Sequence, residues 1–132
     1  MSLLRLVFIV LLPILLACSD DRDLPPEYRR LEVPWERLDA PESGERGRDL
    51  FLVNCALCHG ERADGRGLRR NLSSPAANFT SPLWAETISP RRAFFVIREG
   101  RRGTPMPAFK VLSEKETWEL VGYVMGVAKK GA

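Results

Sequence analysis

The sequence contains one histidine, His59, and it lacks any apolar run long enough to cross a membrane as a helix. Its main apolar run, residues 6–16, is interrupted by Pro13 and is far shorter than the roughly 20 residues that a spanning helix needs. We find neither the apolar–polar alternation typical of strands nor an internal repeat. These absences argue against a spanning helix, a β-rich or repeat fold, and an iron or metal site built on two histidines of one chain.

The 132 residues allow one compact domain, and domains this small often depend on a metal, a disulfide or a cofactor. The net charge of +3 conceals an uneven distribution along the chain. Residues 19–61 hold 6 basic and 11 acidic side chains, whereas residues 62–110 hold 10 basic and 3 acidic ones. No nucleic-acid-binding motif accompanies the basic block, so we predict no nucleic acid partner.

The amino terminus has the pattern of an export signal. Arg5 precedes the apolar run, and the following Leu15-Leu16-Ala17-Cys18 resembles the bacterial lipobox, in which cleavage leaves a lipid-modified cysteine. The alternative is an ordinary signal peptide with a chance cysteine near its cleavage site. We interpret residues 1–17 as a lipoprotein signal peptide. The chain is then expected on the periplasmic side of a bacterial membrane, anchored through acyl chains on Cys18.

Residues 18–41 are rich in charge and proline and show no helical period. We predict a lipid-anchored tether here, which as a flexible coil would span roughly 25–30 Å. A tether does not need large apolar side chains, yet this segment contains Tyr28, Leu31, Val33 and Trp35. These four side chains are expected to lie against the domain or a partner. The folded domain is predicted over residues 42–132.

Two further cysteines stand close together in Cys55-Ala56-Leu57-Cys58-His59. An exported Cys-x-x-Cys could be a disulfide or a thioredoxin-like redox pair, and zinc would need a fourth ligand. Cys-x-x-Cys-His is more specific, because it is the attachment sequence of c-type haem. Cys55 and Cys58 would add across the two vinyl groups, and the His59 imidazole would bind the iron. We therefore predict one covalent haem c.

The domain shows three helical patterns joined by long loops, which predicts an all-α fold. The first helix is expected over residues 43–58, with Ser43 as its N-cap. A second is opened by Ser89-Pro90 and ended by Gly100. The third begins at the capping box formed by Ser113 and Glu116 and carries a broad apolar stripe.

From about residue 43 onward the chain resembles the class I cytochrome c family. The family's first helix has a glycine four residues before an aromatic, which is itself four residues before the first haem cysteine; Gly47, Phe51 and Cys55 match. On the last helix Leu120 and Tyr123 match an aliphatic residue three before an aromatic. The resemblance implies a cytochrome c fold, with three to four helices around one covalent haem and a close crossing of the first and last helices.

One position departs from the family pattern. Leu68 follows Gly67 where many relatives have a proline, whose carbonyl commonly accepts the hydrogen bond of the ligand histidine. The acceptor for His59 therefore remains unidentified at this point.

Elimination and resemblance together predict the second axial ligand. His59 is the single histidine, Met1 is lost with the signal, and Met125 lies within a helix as core filler. Met106 stands between two prolines, which fix the backbone around it. The family's axial methionine lies in such a loop, so the resemblance also assigns Met106.

Ligation by histidine and methionine favours electron transfer, because both axial positions are filled and the thioether raises the reduction potential. We predict an electron carrier or a subunit of a respiratory complex that is not itself an enzyme and has no small-molecule substrate. A peroxidase-like haem enzyme and a haem sensor are the alternatives. Redox partners with an acidic docking surface are expected to meet Arg101 and Arg102, the end of a basic cluster: Arg91, Arg92, Arg98, Arg101 and Arg102.

Overall fold

The computed structural model describes residues 21–130, so the predicted signal peptide and Cys18 lie outside the described residues. Over that range the chain forms helices and no strand, which confirms the predicted all-α fold. The helices are α1 (Pro26–Arg29), α2 (Trp35–Asp39), α3 (Pro41–Asn54), α4 (Ala56–His59), α5 (Pro82–Thr87), α6 (Pro90–Glu99) and α7 (Glu114–Lys130). None of these helices is long and apolar enough to cross a membrane.

The first predicted helix is two helices. α3 begins at Pro41, the favoured first helical position for proline, so Ser43 is a buried residue inside the helix and not its N-cap. The helix then breaks at Cys55, whose φ of −120° and ψ of −31° lie outside the helical range, and α4 follows as a separate turn. The expectation of one continuous helix over 43–58 was wrong.

The predicted ends of the other two helices are confirmed. The Ser89 hydroxyl caps α6 by accepting a hydrogen bond from the Arg92 amide at 3.0 Å, and α6 ends at Gly100 with a φ of +73°. At α7 the Glu116 amide donates to the Ser113 hydroxyl at 3.2 Å, and the Ser113 amide donates to the Glu116 carboxylate at 2.8 Å. The Ser113 amide, together with the Ser113 hydroxyl, which also donates to the Glu116 carboxylate, lowers the pKa of Glu116.

The close crossing of α3 and α7 is also present. A Cβ atom at Gly47 would lie 2.1 Å from the Glu119 carbonyl oxygen and 2.8 Å from the Tyr123 Cβ atom, so the two backbones touch here. Phe51 and Leu120, each 1% exposed, lie in the core beside this crossing. Only a residue without a side chain permits this approach.

We expect Gly47→Ala to destabilise the haem-loaded protein by about 2–3 kcal/mol, because an added methyl group overpacks the crossing. This loss should occur although alanine favours a helix over glycine by about 1 kcal/mol. Gly44→Ala is the matched control on the same helix, since nothing lies within 4 Å of its position. Urea unfolding measures both variants, and equal stabilities for the two would contradict a tight crossing.

Residues 21–40, which we call the strap, lie against the domain. Leu24 is buried at 3% exposed, and the Tyr28 ring meets the Phe95 ring edge-on with centroids 4.9 Å apart. The Tyr28 hydroxyl donates to the Glu99 carboxylate at 2.6 Å, and burial together with this bond raises the pKa of Tyr28 to about 12. The Arg91 guanidinium donates to the Leu31 carbonyl at 2.7 Å.

The second half of the strap packs on α7. A Cβ atom at Gly122 would lie 3.1 Å from the Leu38 carbonyl oxygen, and the Lys129 ammonium donates to the Asp39 carboxylate at 3.3 Å. The described part of the predicted tether therefore has two short helices and fixed contacts, in place of a free coil. Four of its apolar side chains supply the reason, since Tyr28, Leu31, Val33 and Leu38 pack against the core, whereas Trp35 is exposed.

Candidate haem site

The break after α3 places both thiols on one turn of the chain. The His59 and Cys58 amides donate to the Cys55 carbonyl at 2.9 and 3.1 Å, so α4 winds directly back over Cys55. Both thiols are half-buried and free, without a disulfide between them. Burial, with a smaller contribution from Cys58, raises the pKa of Cys55 to about 12. Thioredoxin-like pairs need a lowered thiol pKa, so this environment disfavours that alternative.

The imidazole of His59 is buried and oriented. Its Nδ1 lies 3.1 Å from the Ala77 carbonyl oxygen, which can only accept, so Nδ1 carries the proton and Nε2 keeps its lone pair. The ring stacks on Phe79 with centroids 4.6 Å apart. Burial lowers the pKa of His59, against a smaller opposing effect of the Ala77 bond, and so favours the neutral form that binds metals.

Ala77 is the acceptor that the sequence did not identify. Leu68, where the family pattern places it, is 78% exposed. The Gly65–Gly67 loop does not bind the His59 ring but bonds to the backbone of the Cys-x-x-Cys-His turn. The Gly67 amide donates to the Cys58 carbonyl at 3.2 Å, and the Gly65 amide donates to the His59 carbonyl at 2.8 Å. A Cβ atom at Gly67 would lie 2.3 Å from the Leu57 carbonyl oxygen. The loop thus holds the Cys-x-x-Cys-His turn from outside.

Met106 lies in a loop anchored to the end of α6. The Arg101 amide donates to the Met106 carbonyl at 3.2 Å, and the Met106 amide donates to the Thr104 hydroxyl at 3.3 Å. Gly100 permits the turn, since its φ is positive and a Cβ atom there would lie 2.9 Å from the Met106 carbonyl oxygen. The Met106 side chain is half-buried, and its backbone is bonded on both sides. Met125, by contrast, belongs to α7 and is partly buried against the core beside the strap.

These residues fit a covalently bound haem. The turn offers two free thiols one helical turn apart, a neutral imidazole with a free Nε2, and a thioether on a separate rigid loop. Within residues 21–130 no three His, Cys, Asp or Glu side chains are placed to hold a metal ion, so Cys55, Cys58 and His59 do not converge as zinc ligands. A haem iron needs only its axial ligands from the protein.

The basic cluster is smaller in the structure than in the sequence. Arg91 pairs with Asp21 at 3.8 Å, Arg92 pairs with Asp23, and Arg98 donates to the Leu112 carbonyl. Arg101 and Arg102 are exposed at the start of the Met106 loop. The two arginines predicted to dock a partner are therefore the accessible part of the cluster.

Comparison with known proteins gives a consistent match. Residues 42–124 match the family of cytochrome c oxidase, cbb3-type, subunit III. Two relatives, the cbb3-type cytochrome c oxidase subunits CcoP of Helicobacter pylori strain ATCC 700392 / 26695 and strain 52, are each 28% identical over 110 residues. The alignment covers 80% of this chain and 34% of each relative, so the chain spans about a third of the length of these relatives.

Proposed function

This chain belongs to the family of cytochrome c oxidase, cbb3-type, subunit III, and from that membership we propose that it is a mono-haem electron-transfer protein. It passes single electrons between membrane-associated respiratory partners, as an anchored carrier or as a subunit of an oxidoreductase complex. The relatives are named as oxidase subunits, which supports a place beside such a complex. The proposed location is the periplasmic side of a bacterial membrane, with Cys18 lipidated.

Haem c supplies one-electron redox chemistry when it is bound. In our proposal the Cys55 and Cys58 sulfurs would hold the group by thioethers, and His59 Nε2 and Met106 Sδ would ligate its iron. The observation that carries the proposal is the buried His59 ring directly after the Cys-x-x-Cys turn, with Nδ1 bonded to Ala77 so that Nε2 remains for iron. The Ala77 bond fixes the ring orientation and increases its basicity as a ligand.

The proposed ligand set favours a carrier over a catalyst. A haem enzyme or gas sensor needs an open axial position and, for peroxidase-like chemistry, a polar distal group such as a second histidine. The chain has one histidine, and the half-buried Met106 stands in a loop whose backbone hydrogen bonds restrict its movement. A soft thioether also stabilises ferrous iron and raises the reduction potential.

Two measurements on the purified protein test this function. Iron content should give one haem per chain, and an optical redox titration should follow a one-electron curve. Two irons per chain would contradict the mono-haem proposal. Ready binding of carbon monoxide by the native protein would favour the enzyme or sensor alternative.

We further propose that Arg101 and Arg102 steer a redox partner with an acidic surface toward the haem site. Such encounters depend on charge mainly through their association rate. Raising salt from 0.01 M to 0.1 M shortens the Debye length from about 30 Å to about 10 Å, so electron transfer to a soluble acidic partner should slow steeply. Stopped-flow kinetics at both salt concentrations measures the effect.

Charge reversal at Arg101 and Arg102 should slow the reaction at low salt, with little change at high salt. The matched control reverses Lys129 and Lys130, another exposed adjacent pair, at the far end of α7. Equal slowing by both pairs would indicate an unspecific effect of net charge. Rates that do not depend on salt would leave the two arginines without a docking role.

A further inference from the structure

We propose that one groove of this domain rests on anionic lipid headgroups. The α2–α7 groove lies between the strap, the start of α3 and the end of α7, and is lined by Trp35, Leu38, Arg48, Tyr123, Lys129 and Lys130. The inference deepens the proposed anchoring at Cys18, because it states which face of the domain the anchor brings to the bilayer. Three observations support it.

The first observation is where the anchored end of the chain meets the domain. Asp21 accepts a hydrogen bond from the Ser89 hydroxyl and pairs with Arg91 at 3.8 Å. Cys18 precedes Asp21 by three positions, a reach of about 10 Å at most. Pro90, next to Ser89, is part of the wall of the groove. A lipidated Cys18 would therefore hold the groove close to the membrane surface.

The second observation is the chemistry of the groove. Trp35 is 59% exposed, and tryptophan is enriched at the membrane interface because it combines an apolar ring with a polar N–H. Lys129 and Lys130 are exposed at its rim, where their long stems can cover apolar surface while the ammonium groups meet phosphate. Asp39 and Glu45 also line the groove, and Asp39 is bonded to Lys129.

The third observation is the distance from the haem site. The groove extends along α3 from Pro41 to Arg48, whereas Cys55 follows the last residue of the helix, and the 7 residues from Arg48 to Cys55 span about 10 Å. Along α7 the groove extends from Gly122 to Lys130, whereas the Met106 loop precedes the start of the helix, and the 8 residues from Glu114 to Gly122 span about 12 Å. A membrane-facing groove would thus leave the haem site directed toward a partner.

Hydroxyl-radical footprinting of the mature, haem-loaded protein tests the proposal with natural probes. The protein is compared in detergent, in nanodiscs of phosphatidylcholine, and in nanodiscs that also contain phosphatidylglycerol. Oxidation of Trp35 should fall about fivefold in the anionic discs, because the ring enters the headgroup region. Oxidation of Val111, 89% exposed before the start of α7, should not change.

Charge variants separate the lipid contact from partner docking. Lys129→Glu with Lys130→Glu should abolish the protection of Trp35, whereas Arg101→Glu with Arg102→Glu should leave it intact. Protection of Val111 in place of Trp35, or no protection of either, would overturn the proposal. Equal protection in neutral and anionic discs would overturn the assignment to anionic headgroups.

The intact mass of the same preparation tests lipidation at Cys18 separately from lipid binding by the groove. A mature chain that begins at an acylated Cys18 supports the anchoring, and a chain that begins elsewhere refutes it. In the second case the same discs are added to the unlipidated protein. Protection of Trp35 by anionic discs would then support the groove on its own, and unchanged oxidation would refute the groove as well.

Discussion

Met106→Ala is expected to open one axial position and to lower the reduction potential on the order of 0.1 V, since axial ligands set haem potentials over about 0.8 V. The variant should bind carbon monoxide readily, which the native protein should not. The weak red absorbance band that reports iron–sulfur bonding in ferric haem should be present in the native protein and absent here. Optical redox titration and carbon monoxide difference spectra measure these changes.

Met125→Ala is the matched control, because Met125 lies on α7 at the edge of the α2–α7 groove. It should keep the red band and the native potential, and should affect stability alone through lost packing. A band that persists in Met106→Ala and disappears in Met125→Ala would reverse the assignment. The constrained loop around Met106 would then need another explanation.

Cys55→Ala and Cys58→Ala should each cause a near-complete loss of mature haem protein, because the haem is expected to be held by two thioethers from one helical turn. Haem staining of the exported chain after denaturing electrophoresis measures covalent attachment, and immunoblotting measures total chain. Cys18→Ser is the control, since it removes the proposed lipid site and leaves the turn unchanged. Full haem staining in both single variants would contradict the proposed attachment.

Local signals made much of the helical framework predictable. Ser89 caps the start of α6, and Ser113 with Glu116 caps the start of α7. Each of these capping hydrogen bonds joins residues three positions apart in the chain. A serine followed by proline, Ser81-Pro82, also marks the start of α5, although the Ser81 side chain makes no capping hydrogen bond. The crossing at Gly47 was predictable only through the family resemblance, since spacing alone does not reveal which helix lies opposite.

Tertiary contacts explain what the sequence did not reveal. Asp21 meets Ser89 and Tyr28 meets Glu99 across 68 and 71 residues, so no local pattern marks the strap as docked. The acceptor for His59 is a backbone carbonyl, which every residue possesses and no side chain identifies. Other long-range pairs, Arg91 with Asp21 and Arg92 with Asp23, reduced the basic cluster, because charge counted along the chain takes no account of partners in space.

Acid–acetone extraction of the purified, exported protein tests the central claim most directly. A c-type haem bonded to Cys55 and Cys58 should stay with the polypeptide, and the intact mass should exceed that of the chain and its lipid by one haem. Haem that passes into the organic phase, or a mass without that increment, would contradict covalent attachment at this turn and with it the proposed electron carrier.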